Sequence, residues 1–112
     1  MIEKIKNIFG IGQKVKMEDL IRNGAVILDV RTRSEFAGGH IKGSVNLPLD
    51  QVTEQCKKIK NKDQVFITCC ASGVRSSVAK RILKSQGFPN VRNGGSWVSL
   101  KKYESHVGKH KI

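Results

Sequence analysis

Two stretches of the chain are apolar over the length of a strand: Ala25-Val-Ile-Leu-Asp-Val30 and Gln64-Val-Phe-Ile-Thr-Cys69. Neither alternates apolar with polar residues, so each reads as a strand buried on both faces, as in a parallel sheet. Elsewhere the apolar positions recur at helical spacing. Val52, Cys56 and Ile59 share one face of Asp50 to Ile59, and Val78, Ala79, Ile82 and Leu83 form a stripe within Ser76 to Gln86. Gly87 ends the second helix and Pro89 prevents its resumption.

Shorter helices are predicted over Met17 to Arg22, stopped by Asn23-Gly24, over Thr32 to Ala37, closed by Gly38-Gly39, and over Trp97 to Tyr103. Short strands are predicted at Gln13 to Lys16, on a sheet edge, at Ser44 to Asn46 and at Asn90 to Arg92. Strands alternating with helices predict a parallel α/β sheet with helices on its faces. In such sheets, ligands sit beyond the carboxyl ends of the strands. The segment after Cys69 is therefore where a site is expected.

Length and composition narrow this picture. The 112 residues, 38% of them hydrophobic, suit one domain with one core. Met1 to Gly12 carries Ile2, Ile5, Ile8 and Phe9 at helical spacing beside Lys4 and Lys6. It reads as a helical extension, either packed on the domain or lying weakly on a membrane surface. No stretch is long and apolar enough to span a bilayer. Three cysteines, two of them adjacent, make no disulfide framework, and a reduced, cytoplasmic setting is expected.

The formal net charge of +12 favours anions and acidic partners. It does not imply nucleic acid: four Phe, one Tyr and one Trp offer few stacking platforms, and no binding motif accompanies them. His40 sits in a Gly-His-Ile turn, where a structural hydrogen bond is expected rather than a general-base role. Trp97 suits either the core or the pocket mouth. His106 and His110, in the basic tail of residues 105–112, have no companion ligands that suggest a metal.

The candidate chemistry lies in Cys70-Ala71-Ser72-Gly73-Val74-Arg75-Ser76. Small residues between a strand and a helix let successive backbone N–H groups converge into an anion-binding nest. The helix adds its free N–H groups and positive dipole end, and Arg75 adds a fixed charge at the rim. A thiol in that cradle is expected to ionise readily. Cys70 is thus the expected nucleophile, with Ala71, Ser72, Gly73, Val74 and Arg75 forming the binding loop. Cys69 is expected to be a buried strand residue pointing away from its neighbour.

This loop resembles the active-site loop of rhodanese-type sulfurtransferases, Cys-x-x-Gly-x-Arg. Leu28-Asp29-Val30-Arg31 with Glu35-Phe36, then Gly39-His40-Ile41-x-Gly43-Ser44-x-Asn46-Leu47-Pro48, resembles the family's other signature. Asn93-Gly94-Gly95, with Trp97 behind it, is similar to its C-terminal glycine pair. The resemblance implies a rhodanese-like domain over residues 13–104, with a five-stranded parallel sheet and helices on both faces. It implies transfer of a sulfane sulfur from thiosulfate or a persulfide, through a Cys70 persulfide, to a thiol, cyanide or a carrier protein, without metal or organic cofactor. It casts Asp29 and Arg31 as braces of the loop. A small anionic sulfur donor and an acidic sulfur-carrier protein are the partners it suggests.

One alternative stays open. Counted from Cys69, five residues precede Arg75, the spacing of cysteine phosphatases and arsenate reductases; counted from Cys70 there are four, the sulfurtransferase length. Thr68 stands where the phosphatases usually carry a His. A sulfur relay or binding module without efficient turnover is a further alternative.

Overall fold

The computed structural model describes residues 15–110 and 112. The expected N-terminal helix lies outside them. Within them, four strands, β1 (Val26–Asp29), β2 (Val45–Asn46), β3 (Phe66–Cys70) and β4 (Val91–Ser96), form one parallel sheet in the order β2-β1-β3-β4. The five-stranded expectation is corrected to four among the described residues. Of the predicted edge strand, Gln13 and Lys14 are not described. Val15 and Lys16 are not in a strand: Lys16 already caps the first helix and Val15 packs into the core.

The helices are α1 (Met17–Arg22), α2 (Arg33–Ala37), α3 (Val52–Gln55), α4 (Val74–Ser85) and α5 (Trp97–Leu100). The helix predicted over Asp50 to Ile59 is instead α3 flanked by 3-10 turns at Leu49–Gln51 and Cys56–Lys58. A further 3-10 stretch, Lys101–His106, continues from α5.

Both strong strands are buried along their whole length, as their largely apolar runs predict, with Asp29 and Thr68 the buried polar exceptions. The pleat sorts their side chains into two cores. Val26, Leu28, Val30, Phe66 and Cys70 face Leu47, Val52, Cys56, Ile59, Ala79, Leu83 and Phe88. Ile27, Ile67 and Cys69 face the other way, onto Leu20, Ile21, Ile41 and Leu100, with Trp97 and Tyr103 alongside. Helices α3 and α4 therefore cover one face, and α1 and α5 the other. Phe66 and Phe88 meet edge to face at 5.8 Å between ring centroids.

Strand β4 is longer than the predicted Asn90 to Arg92. Its sequence, Val-Arg-Asn-Gly-Gly-Ser, has little strand propensity, and pairing to β3 holds it extended. Gly94 is required by close approach: a Cβ there would lie 2.7 Å from Cγ2 of Ile67 and 3.0 Å from Cδ1 of Leu100. The pairing is irregular between Thr68 and Cys70, and resumes with Cys70 opposite Ser96. That irregularity brings the Asn93-Gly94-Gly95 segment up to the end of β3, where the loop begins.

Candidate active site

Cys70 is the last residue of β3, and α4 begins at Val74 after a three-residue turn. The reversal depends on Gly73, which caps α4 with φ +100°, a left-handed conformation that glycine adopts without strain. A Cβ on Gly73 would also come within 3.3 Å of the Gly95 Cα. The turn folds the N–H groups back over the sulfur. Gly73 N–H donates to Cys70 Sγ at 3.0 Å and Ser76 N–H at 3.4 Å. Ser76 is the third residue of α4, and its N–H is among those a helix leaves without an internal acceptor.

Beyond the backbone, a side-chain relay closes the floor of the site. The Cys70 thiol donates to Ser76 Oγ at 3.5 Å, and Ser76 Oγ donates to Asn93 Oδ1 at 2.6 Å. Asn93 Oδ1 also accepts from Gly95 N–H at 2.9 Å, while Asn93 Nδ2 donates to the Gly73 carbonyl at 3.2 Å. Thr68 Oγ1 donates to the Ser76 carbonyl at 2.9 Å, pinning the start of α4 to β3. Asn93 therefore ties the third signature to the first.

Burial opposes ionisation of Cys70. The hydrogen bond shared with the Ser76 hydroxyl and those from the Ser76, Gly73 and Ser72 N–H groups outweigh it and lower the thiol pKa. Cys69 has the opposite setting. Burial pushes its thiol well up, with the Asp29 carboxylate adding to the effect. The adjacent cysteines thus differ because the pleat sends one into the cradle and the other into an apolar core. Cys70 is itself buried, at the floor of a loop whose Ala71, Ser72 and Val74 are exposed.

Asp29, Arg31, Glu35 and Arg75 form two ion pairs. Asp29 and Arg31 form a buried pair, with Arg31 Nη2 2.7 Å from Asp29 Oδ2 and Nε 2.9 Å from Oδ1. The bond to Asp29 raises the Arg31 pKa. The remaining Arg31 donors reach the carbonyls of Gly39 at 2.7 Å and Glu35 at 3.3 Å, and its guanidinium lies 4.5 Å from the Trp97 ring centroid. The pair braces α2 and the Gly39 turn through the Glu35 and Gly39 carbonyls.

Arg75, expected to meet the anionic donor, directs both terminal nitrogens at Glu35: Nη1 to Oε1 at 2.8 Å and Nη2 to Oε2 at 3.0 Å. That bond, ahead of the Thr32 backbone N–H, depresses the Glu35 pKa to about 2. Sequence reading assigned no role to Glu35, Ser76 or Asn93. The signals available were Thr32-x-x-Glu35, a capping box, and the position of Ser76 in the first turn of a helix.

Other candidates fall outside the site. His40 Nδ1 donates to the Phe36 carbonyl at 2.7 Å and its ring stacks on Phe36 at 3.7 Å, the expected structural role. Trp97 is half-buried in the second core. Two surface hollows, both bordered by Lys58 and His110, include none of residues 70–76.

With this geometry in view, comparison with known proteins decides the family. The family model for the rhodanese-like domain matches residues 14–102. The chain belongs to the rhodanese-like family. Thiosulfate sulfurtransferase PspE of Escherichia coli is 32% identical over 69 residues, covering 61% of this chain and 66% of that protein. YrkF of Bacillus subtilis, provisionally named a sulfur carrier protein, is 38% identical over 81 residues, covering 72% of this chain but 41% of its own length. The chain thus spans about two thirds of one relative and two fifths of the other.

Among solved structures, a rhodanese-like domain from Anabaena superposes with a TM-score of 0.64 at 30% identity, covering 70% of this chain and 92% of that one. An Escherichia coli rhodanese solved with anions gives 0.62 at 26% identity, covering 80% and 98%. The rhodanese-like fold follows from these likenesses. No helix among the described residues is long and apolar enough to cross a membrane.

Proposed function

We propose that this rhodanese-like domain is a sulfurtransferase that carries a sulfane sulfur as a Cys70 persulfide. The observation that supports this most is the thiol at the floor of its own loop, with Gly73 and Ser76 N–H groups and the Ser76 hydroxyl converging on one sulfur. The Cys70 thiolate attacks the outer sulfur of thiosulfate or of a persulfide. A new S–S bond forms, the donor's S–S bond breaks, and sulfite or a thiolate leaves with the electron pair. A thiol, cyanide or a carrier protein then takes the outer sulfur and restores the Cys70 thiolate. The cradle offers N–H groups to negative charge in both states, and Ala71, Ser72, Gly73, Val74 and Arg75 form its wall. Three free cysteines suit a reducing, cytoplasmic compartment. A small anionic donor and an acidic carrier protein are the proposed partners, the latter on the chain's net charge of +12.

The phosphatase or arsenate reductase alternative needs Cys69 as nucleophile, and the burial and raised pKa of that thiol weigh against it.

The test is the intact mass of protein treated with thiosulfate and desalted without reductant. Wild type and Cys69→Ser are expected to gain one sulfur atom and Cys70→Ser none; sulfur retained by Cys70→Ser and lost from Cys69→Ser refutes the assignment. Turnover with cyanide, compared with the stoichiometric gain, separates an enzyme from a relay.

A further inference from the structure

Glu35 is not a loosely held surface acid. It is the third residue of α2, where its N–H donates to Thr32 Oγ1 at 3.2 Å and its Oε1 accepts from the Thr32 N–H at 2.9 Å and Thr32 Oγ1 at 3.1 Å. Its carbonyl is held by the buried Arg31. The carboxylate so positioned engages Arg75 through both oxygens, in the planar two-bond geometry that suits a guanidinium. Each side chain is about one-third exposed, at 34% for Arg75 and 36% for Glu35, so the pair is only partly screened by water.

The loop's own cation is thereby matched before any donor arrives. Next to Arg75 in the chain stands an exposed apolar side chain. Val74, the first residue of α4, is 69% exposed, and Val98, two residues beyond the Ser96 that pairs with Cys70, is 58% exposed. They are two of the three large hydrophobic residues exposed among the described residues. A strongly basic protein thus places a matched ion pair and the exposed Val74 in the loop of its own nucleophile.

We infer that Glu35 is a specificity-determining residue. By holding Arg75 in a closed ion pair, it disfavours small dianionic donors and selects organic persulfides, which bring at most one charge on the sulfane group and an apolar stem for Val74. This rests on the sulfur-transfer reading of Cys70. The favoured first step is Cys70–S⁻ + R–S–SH → Cys70–S–SH + R–S⁻, in which the outer sulfur moves with its proton and the thiolate R–S⁻ leaves with the electron pair.

The experiment compares wild type, Glu35→Gln and Glu35→Gln/Arg75→Gln. Gln keeps an acceptor for Thr32, so the cap of α2 remains while the charge goes. Cys70 is alkylated with neutral iodoacetamide and anionic iodoacetate at low salt, the adduct being located by peptide mass. In parallel, kcat and KM are measured for thiosulfate and for an alkyl persulfide.

Removing one negative charge near the site in a water-like dielectric raises the iodoacetate-to-iodoacetamide ratio about two- to threefold and lowers the thiosulfate KM about fivefold, since the dianion feels twice the change. Both gains vanish at about 1 M salt, where screening is nearly complete, and in the double variant. The persulfide KM changes less than twofold. An unchanged ratio overturns the inference, as does a parallel fall in both alkylation rates, since Glu35 then acts only by holding the loop. A wild type that alkylates with this charge dependence but turns over neither donor leaves charge selection standing and sinks the sulfur-transfer reading instead.

Discussion

Ser76→Ala is the substitution that most sharply separates a chemical from a structural role in the cradle. The Ser76 hydroxyl has one proton. With the thiol protonated it donates to Asn93 Oδ1 at 2.6 Å and accepts from Sγ–H at 3.5 Å. Once Cys70 ionises, the same proton can turn to the sulfur, and Asn93 Oδ1 keeps the Gly95 N–H as its donor. This hydroxyl is the largest of the hydrogen-bonding influences that lower the Cys70 pKa. Alanine removes it and leaves the Ser76 N–H, the Gly73 N–H and the turn in place.

A hydrogen bond to a charged group contributes about 1.5 to 3 kcal/mol, and the long 3.5 Å separation argues for the lower end. A loss of about 1.5 kcal/mol cuts the thiolate fraction at acidic pH roughly twelvefold. Each remaining thiolate becomes more nucleophilic, because reactivity rises with basicity at a Brønsted slope of about 0.4–0.5, recovering roughly threefold. The variant should therefore react about fourfold more slowly than wild type below both thiol midpoints, and about threefold faster above them. The assay is the iodoacetamide rate constant at Cys70 from about pH 4 to 10, the range in which cysteine thiols titrate. Two profiles that cross support the relay. A variant slower by a constant factor at every pH refutes it, since Ser76 would then only position the loop.

Two further outcomes follow from the same geometry. Gly94→Ala should destabilise the fold by about 1–3 kcal/mol in urea unfolding, because its methyl group would press on Ile67 and Leu100 within a filled core. Glu35, whose pKa is lowered to about 2 chiefly by the Arg75 bond, should titrate in the folded protein near that pH when followed by its side-chain carboxyl carbon in NMR. Its folded pKa lies below the unfolded value, so its contribution to stability is complete above about pH 4.5 and fades as pH falls toward about 2; a midpoint near 4.5 would mean that the ion pair is open in solution.

The sheet's centre was legible because one physical demand shaped it. A strand buried on both faces must be largely apolar, and residues 25–30 and 64–69 meet that demand without tertiary information, Asp29 and Thr68 being the buried polar exceptions. The loop was legible for a similar reason, since Gly73 before a helical stripe marks a turn that few residues can make. The end of β4 was not. Asn93-Gly94-Gly95 has the composition of a turn, and only its neighbour β3, with Ile67 and Thr68 against Gly94, makes it a strand. The predicted Asp50 to Ile59 helix failed by degree: its apolar face is buried as expected, but the chain tightens into 3-10 turns at both ends.

The site divides along the same line. Cys70, its loop and even the contrast with Cys69 follow from local rules, the cradle from a strand-to-helix turn and the contrast from a pleat with a period of two. The residues that partner the cradle and its cation are distant in sequence: Asn93 lies 17 positions from Ser76, and Glu35 lies 40 from Arg75. A capping box explains Glu35 locally, and a fixed guanidinium explains Arg75 locally, and neither explanation needs the other. Only the parallel order β2-β1-β3-β4, which sets the end of β1 beside the end of β3, delivers α2 to the loop. Reading Arg75 alone therefore yields an anion receptor, whereas reading it with Glu35 yields a matched pair. The same six-residue loop on another member of this fold would bind a dianion more tightly if the acid opposite it were absent, and that difference lies in α2 rather than in the loop.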